Sequence, residues 1–225
     1  MDKLGIIVLG QTPRPDLESL FRDHLPGVEL AILGALDGKE DQEIDDLSKN
    51  GGKYPLLTIL ADGTTREISL YRLLPHIQKR AEELTVAGAR MAVLFCAGNF
   101  PDIKSPIPML FPGRIIPAIV QAVSKTRRIG IVIPNKGQLA PAMNHWRQKG
   151  FSVEACVASP KDKQALHVAA KSMSDPSLEL VVLDCMGFSP KAGRLMRRFC
   201  GRPVICPQSL VAKVTAEMMG IYKAP

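Results

Sequence analysis

The sequence predicts an α/β protein of two similar lobes, each built on a parallel sheet of four strands. Short runs rich in Val, Ile and Leu recur along the chain and end in glycine or turn residues, as buried strands do. They occupy residues 4–10, 28–33, 91–96 and 114–120 in the first half and 128–134, 153–158, 179–185 and 203–207 in the second. Helical patterns lie between several of them, at 16–24, 77–85, 139–149 and 190–199. Because strands alternate with helices, we expect parallel strands joined by right-handed crossovers.

An internal repeat supports the two-lobe interpretation. When residues 1–124 are laid over residues 125–225, three motifs recur in the same order: GIIVLGQTPRP with GIVIPNKGQ, AVLFCAGNF with LVVLDCMGF, and GRIIPAIVQAV with GRPVICPQSLVAKV. We therefore predict two pseudo-symmetric Rossmann-like lobes, residues 1–124 and residues 125–225, with a cleft between them.

The first lobe is expected to carry an insertion. The distance from the glycine of the first motif to the cysteine of the second is 91 residues in the first half and 55 in the second. Residues 55–74 contain two β-type runs that flank Asp62 and Gly63, a dipeptide typical of hairpin turns. The extra length is therefore predicted to form a β-hairpin within about residues 51–75.

Composition excludes several classes of protein. The five cysteines are odd in number, widely spaced and without a CxxC pair, which favours reduced thiols in the cytoplasm over a disulfide scaffold. No apolar stretch approaches the roughly 20 residues of a membrane span, and the N-terminal run is too short for a signal peptide. The net charge of +7 is spread over the chain and is compatible with small anionic ligands.

Nucleic acid, metal and nucleotide binding find no support in the motifs. Residues 189–202 are basic, but their apolar positions fall on one helical face, so the charges are those of a solvated helix. The four histidines form no HxH or HExxH pattern, so no metal is expected. GxxxxGK[ST] and GxGxxG are both missing, so no nucleotide cofactor is expected either.

Two of the five cysteines hold matching positions in the repeat. Cys96 and Cys185 each end an apolar strand and are followed by small or turn residues. The carboxyl end of a parallel strand is where an open α/β sheet builds its site, and backbone N–H groups of the following loop can stabilise an anion there. We predict that this pair is functional and that Cys156, Cys200 and Cys206 are structural.

The same motifs carry a resemblance to a known family. GQTPRPD (10–16), CAGN (96–99), IGIVIP (129–134) and LDCMGF (183–188) resemble the AroM family over essentially the whole chain. More distantly, the lobe order and cysteine motifs resemble the aspartate/glutamate racemase superfamily, which includes hydantoin racemases, maleate isomerases and arylmalonate decarboxylases. The resemblance implies cofactor-independent chemistry at a carbon next to a carboxylate or carbonyl of a small molecule. It further implies that Cys96 and Cys185 act as acid and base, in an unassigned order, in a homodimer or larger homo-oligomer.

Departures from the racemase pattern keep a second interpretation open. Ala97 and Gly98 follow the first cysteine where racemases often have Asn and Thr, and Asp184 precedes the second where glycine is usual. A carboxylate at Asp184 would oppose thiolate formation, or it could pair with a basic residue or cap the next helix. The alternative is a non-catalytic protein that binds or senses small anions on the same fold.

Substrate-binding residues are predicted from the loops that follow the strands. Gln11, Thr12 and Arg14 lie between the first strand and its helix, and Arg14 offers a fork suited to a carboxylate. Asn135 is the counterpart in the second lobe. The loops after the cysteines contribute Gly98, Asn99 and Gly187.

Overall fold

The computed structural model describes residues 2–49 and 55–221, and these form ten strands and eight helices. The strands are β1 (Lys3–Val8), β2 (Glu29–Gly34), β3 (Pro55–Ile59), β4 (Thr65–Ser69), β5 (Met91–Leu94), β6 (Met109–Leu110), β7 (Arg128–Ile133), β8 (Ser152–Val157), β9 (Leu180–Leu183) and β10 (Val204–Ile205). The helices are α1 (Pro15–Arg22), α2 (Asp41–Ser48), α3 (Leu70–Val86), α4 (Pro112–Val123), α5 (Leu139–Gln148), α6 (Lys163–Ser172), α7 (Pro190–Cys200) and α8 (Pro207–Met218), with a 3-10 turn at Lys136–Gln138.

The chain divides into two compact units. The first contains the described residues up to Gly113 and those from Val214 on, and the second contains Arg114–Lys213. These units differ from the predicted lobes 1–124 and 125–225 because most of α4 belongs to the second unit and the end of α8 belongs to the first. The sequence boundary was placed where the repeat begins again, so it kept α4 entirely in the first lobe and α8 entirely in the second. The structure divides both helices between the units.

Each unit is built on a four-stranded parallel sheet, which confirms the predicted fold class. The strand order is β2-β1-β5-β6 in the first unit and β8-β7-β9-β10 in the second. β1 and β7 are therefore equivalent inner strands, each paired with a neighbour on both sides. Their residues are almost entirely buried, as expected for central strands of a parallel sheet covered on both faces.

The predicted hairpin is present in the first unit. β3 and β4 pair antiparallel, and Gly63 adopts a φ of 82° in the turn that joins them, a conformation that glycine accepts without a Cβ clash. Residues 51–54, the predicted start of the insertion, lie outside the described residues. The β-type pattern was extended too far at its other end, because residues 70–74 begin α3.

The predicted strand at 114–120 is wrong, because these residues lie in helix α4. The burial pattern explains the error: Ile116 and Val120 are buried one turn apart while Arg114 is exposed, so a short apolar run hid a helical period. The fourth strand of the first sheet is instead β6, and the helices after the fourth strands begin at Pro112 and Pro207. The match between Gly113 and Gly201 was therefore out of register.

Each unit contains an apolar core of its own. The core of the first unit joins β1 and β5 to α3, with Ile7, Leu73 and Leu94 completely buried. The core of the second joins β7 and β9 to α6 and α7, with Phe188 and Met196 completely buried. Burying each such side chain contributes roughly 1.5–3 kcal/mol, and these cores fix the strand ends from which the candidate site residues extend.

Candidate active site

Cys96 lies two residues past the end of β5 in the first unit. The Phe95 N–H still donates to the Ile7 carbonyl, at 2.8 Å, and continues the pairing with β1. The Cys96 N–H then turns back to the Leu94 carbonyl, at 2.7 Å, and the chain leaves the sheet. The Gly98 N–H donates to Cys96 Sγ at 3.4 Å, which turns a backbone donor toward the partly exposed thiol.

Cys185 repeats this geometry in the second unit. The Asp184 N–H donates to the Val132 carbonyl of β7 at 2.8 Å, and the Cys185 N–H turns back to the Leu183 carbonyl at 2.8 Å. The Gly187 N–H donates to Cys185 Sγ at 3.3 Å. The two predicted cysteines therefore occupy equivalent strand ends with the same turn and the same hydrogen bond to sulfur.

A helix N-terminus supports each cysteine loop. In the first unit Gly113, in the first turn of α4, lies so close to the loop that a Cβ there would overlap the carbonyl oxygen of Gly98. In the second unit the buried Gln208, in the first turn of α8, donates from Nε2 to the Met186 carbonyl at 2.7 Å. These contacts hold the backbone after each cysteine in place.

The residue before each cysteine distinguishes the two units. Phe95 packs against Phe21 of α1, with ring centroids 6.0 Å apart. Asp184 instead accepts a hydrogen bond from Trp146 Nε1 of α5, at 2.9 Å. Within residues 2–49 and 55–221 it neither pairs with a basic side chain nor caps a helix. Burial raises the pKa of Asp184 to about 6, and the indole N–H offsets only part of this effect.

The Cys185 thiol favours its protonated form. Burial raises its pKa to about 11, the charge of Asp184 acts in the same direction, and the Gly187 N–H opposes both. A thiol in this environment holds its proton near neutral pH, so it is suited to donate a proton before it accepts one.

The loop after β1 is tightly built. A Cβ at Gly10 would overlap the Ile59 carbonyl oxygen of the hairpin. The Gln11 side chain donates to the carbonyls of Leu36 and Lys39 and accepts from the Ala61 N–H at 3.1 Å. The amide of Gln11 is therefore engaged with backbone groups of three segments, and its predicted binding role stays a prediction.

Thr12 is held by Asp37, a residue that the sequence did not single out. Its N–H and hydroxyl donate to the two Asp37 oxygens at 2.7 and 2.9 Å, and the Gly34 N–H donates to the same carboxylate at 2.6 Å. The peptide between Thr12 and Pro13 is cis. Asp37 therefore fixes the loop from the end of β2, a contact that only the sheet pairing creates.

Arg14 forms a bidentate ion pair with Asp16, through Nε at 2.8 Å and Nη2 at 2.7 Å. Burial acts to raise the pKa of Asp16, but the hydrogen bond and charge of Arg14 hold it below its usual value. Arg14 lines an open groove of about 460 Å³, together with Thr12, Pro13, Glu18 and residues 30–33 of β2. The predicted carboxylate fork is thus occupied by an internal carboxylate.

The remaining predicted binding residues lie in the loops after the strands. Gly98 and Gly187 donate to the cysteine sulfurs, as described, and Asn99 is exposed beside Gly98. Asn135 follows β7, and its side-chain oxygen accepts from the Gln138 N–H at 3.0 Å, which caps the 3-10 turn. Contact of these residues with a substrate stays a prediction, as does association into a homodimer or larger oligomer.

The other three cysteines have structural surroundings. Cys200 and Cys206 are buried, and their thiols lie against backbone carbonyls of Arg202 and of Phe188 and Ser189. Burial raises the pKa of Cys156, which is partly offset by a hydrogen bond with Ser172. These environments favour unreactive thiols.

Gln208 and Trp146 were missed by the sequence reasoning along with Asp37. A single buried Gln in an apolar helix gave no periodic signal, and the only tryptophan of the chain reads as ordinary core. Over residues 2–49 and 55–221, no three His, Cys, Asp or Glu side chains are grouped as metal ligands. Within the same ranges, no helix combines the length and apolar character needed to cross a bilayer.

Solved structures of three enzymes share this fold. Maleate isomerase from Pseudomonas putida S16 matches with a TM-score of 0.64 and 12% identity, covering 98% of this chain and 93% of that one. Glutamate racemase from Aquifex pyrophilus matches with a TM-score of 0.56 and 13% identity, covering 96% and 83%. An arylmalonate decarboxylase matches with a TM-score of 0.61 and 13% identity, covering 99% and 94%. At these identities the likeness establishes the fold alone.

The fold and paired strand ends thus define a protein with the aspartate/glutamate racemase architecture. Within that class the chain belongs to the AroM family, since the family described as AroM protein matches residues 4–219. The family and fold predicted from the motifs are therefore confirmed. A search of curated proteins finds no match to the chain.

Proposed function

We propose that this protein is a cofactor-independent isomerase or racemase that acts on a small carboxylate, with Cys96 and Cys185 as an acid–base pair whose order the repeat leaves open. The observation that carries the proposal is the shared geometry of the two thiols. Each follows an equivalent strand through the same backbone turn, and each accepts a hydrogen bond from the N–H two residues later. Cys200 also accepts such a hydrogen bond, but it is buried at the end of helix α7 and does not follow a strand.

The chemistry needs only these two groups from the chain. In a racemisation, one thiolate removes the proton from the carbon next to the carboxylate, and the electron pair of the broken C–H bond passes into the adjacent carbonyl system. The other thiol returns a proton to the opposite face of the same carbon, so protons and charge balance. A two-base reaction of this kind explains why both positions of the repeat carry a cysteine. In a cis–trans isomerisation one thiolate would instead add to the double bond, the remaining C–C single bond would rotate, and the same thiolate would leave as the double bond re-forms.

The related structures support a small carboxylate as substrate. The three enzymes above are named after maleate, glutamate and arylmalonate, and each of these compounds carries two carboxylate groups. The formal charge of +7 favours anionic ligands in the same way. We propose a small mono- or dicarboxylate on this basis.

Deuterium exchange provides the test. The protein is incubated with amino acids, hydroxy acids, hydantoins and unsaturated diacids in deuterated water and followed by NMR. Deuterium at the α-carbon, or a change of double-bond geometry, is expected with the native chain and is lost in Cys96→Ser and Cys185→Ser. Cys156→Ser is the matched control and retains activity; equal loss in this control would reject the assignment.

A non-catalytic binder is the second candidate. The raised pKa of Cys185 and the internal pairing of Arg14 with Asp16 favour it, because both reduce the groups ready for chemistry. A carboxylate that stabilises the protein to heat, with no exchange or isomerisation in the same panel, would support the binder and overturn the enzyme.

A further inference from the structure

The two units differ in how a helix contacts the residue before the candidate cysteine. α1 and α5 each follow the first strand of their sheet, and each sends an aromatic side chain to the residue before the candidate cysteine. In the first unit this contact is apolar, between Phe21 and Phe95. In the second it is a hydrogen bond from Trp146 to a carboxylate, Asp184.

The carboxylate is not needed for packing. Phe95 shows that an apolar side chain fills the equivalent position, whereas an ionised carboxyl away from water is costly unless it is well paired. Among the described residues Asp184 forms no ion pair with lysine or arginine, and Trp146 Nε1 is the hydrogen-bond donor to its side chain. The carboxylate of Asp184 is destabilising, and it occurs beside Cys185 but not beside Cys96. Its presence therefore calls for a reason other than stability.

The neighbouring titratable groups leave this charge uncompensated. α5 also carries His145, Arg147 and Lys149, and burial together with the charge of Lys149 lowers the pKa of His145, which is therefore neutral near pH 7. The adjacent strands β7 and β8 carry Arg128, Glu154 and Cys156, and Arg128 is paired with Glu154 and Asp175. The following helix, α7, carries Lys191, Arg194, Arg197 and Arg198.

Asp184 is the charged residue that acts on the Cys185 thiol.

We propose that Asp184, held by Trp146, is a positioning residue that keeps Cys185 protonated, so that Cys185 is the proton donor and Cys96 the proton acceptor of the resting protein. This inference rests on the proposed function and assigns the order that the repeat leaves open. Burial and the Asp184 charge act together on the thiol, and the Gly187 N–H limits their effect.

The test measures the thiol directly and needs no substrate. Iodoacetamide labelling of Cys185 is followed from pH 7 to 11 by peptide mass spectrometry in the native chain and in Asp184→Asn. The midpoint is extrapolated from the labelling rate, which below it rises about tenfold per pH unit with the thiolate fraction. Removing the charge is expected to lower the labelling midpoint by a fraction of a pH unit and to raise the rate at pH 8 about two- to threefold, because burial contributes more to the shift than the Asp184 charge does. Glu154→Gln removes a charge from the same unit and is expected to leave the midpoint unchanged. An unchanged midpoint in Asp184→Asn overturns the proposal.

A second variant and a fold readout keep the result interpretable. Asp184→Ser removes the same charge with a smaller side chain. Circular dichroism and the urea midpoint report whether each variant stays folded, because the emission of Trp146 changes with the loss of its own hydrogen bond to Asp184. A shifted midpoint without deuterium exchange on any substrate would reject the proposed function while leaving the effect of Asp184 on the thiol established. Deuterium exchange on a substrate without a shift of the labelling midpoint would support the proposed function and reject the effect of Asp184 on the thiol.

Discussion

Gln208 Nε2 lies 2.7 Å from the carbonyl oxygen of Met186, so the first turn of α8 is tied to the loop that follows Cys185. In the first unit the first turn of α4 reaches the equivalent loop through Gly113, which lies against the Gly98 carbonyl without a side chain between them. One loop is held by a hydrogen bond and the other by close backbone packing, and each can be broken by a single substitution.

Gln208→Met is expected to lower the free energy of unfolding by roughly 1–3 kcal/mol, because it leaves the Met186 carbonyl without its donor in a buried place. Urea denaturation measures the loss, and iodoacetamide labelling of Cys185 is expected to become faster as the loop loosens. Gln148→Met changes an exposed Gln at the end of α5 and is the matched control. Equal stability of the two variants would show that the contact does not hold the loop.

Gly113→Ala is expected to destabilise the protein by roughly 2 kcal/mol or more, although alanine is the better helix former. The added Cβ overlaps a backbone oxygen, which cannot move aside as a flexible side chain would. Gly137→Ala adds the same atom where the nearest neighbour, Asn135 Oδ1, is 3.5 Å away, and should be nearly neutral. Chemical denaturation of both variants checks this, and a neutral Gly113→Ala would contradict the close approach.

Asp37→Asn is expected to cost roughly 1–3 kcal/mol and to loosen the loop that contains Thr12. The carboxylate accepts three hydrogen bonds, from the N–H and hydroxyl of Thr12 and from the Gly34 N–H. An asparagine amide turns an NH2 group toward at least one of these donors. Hydrogen exchange of the Thr12 and Gly34 amides gives the local readout, and the exposed Asp23→Asn provides the control. Unchanged exchange at both amides would reject the role of Asp37.

Asp184 predicts a pH dependence of stability with a definite sign. Its pKa is about 6 in the folded chain against an ordinary 3.8, so its favourable contribution is complete below pH 4 and is lost as the pH rises through 6. At about 1.4 kcal/mol per pH unit, the loss from this group is roughly 3 kcal/mol. Thermal and urea unfolding between pH 4 and 7 should show it in the native chain and in Glu154→Gln but not in Asp184→Asn. Parallel curves for native chain and Asp184→Asn would contradict the shifted pKa.

Much of the fold was predictable because local patterns and tertiary structure agree. The apolar runs at 4–10 and 128–134 became the inner strands β1 and β7, and Asp62-Gly63 formed the expected turn. The run at 114–120 failed because a short apolar segment satisfies both the strand and the helix pattern, and its burial on one face is decided by what packs against it. Because of the same ambiguity, the segment that forms α4 was aligned with the strand segment that begins at Gly201, although its counterpart in the second unit is α8.

The sequence by itself determined the family, the strand ends that carry Cys96 and Cys185, and the insertion of a hairpin in the first unit. These follow from residue order, which fixes where a strand stops and which residue comes next. Only the tertiary structure decided that Trp146 meets Asp184, that Gln208 reaches Met186 and that Arg14 is paired with Asp16. The first two contacts join residues far apart in the chain, and all three depend on side-chain directions, so no local pattern contains them.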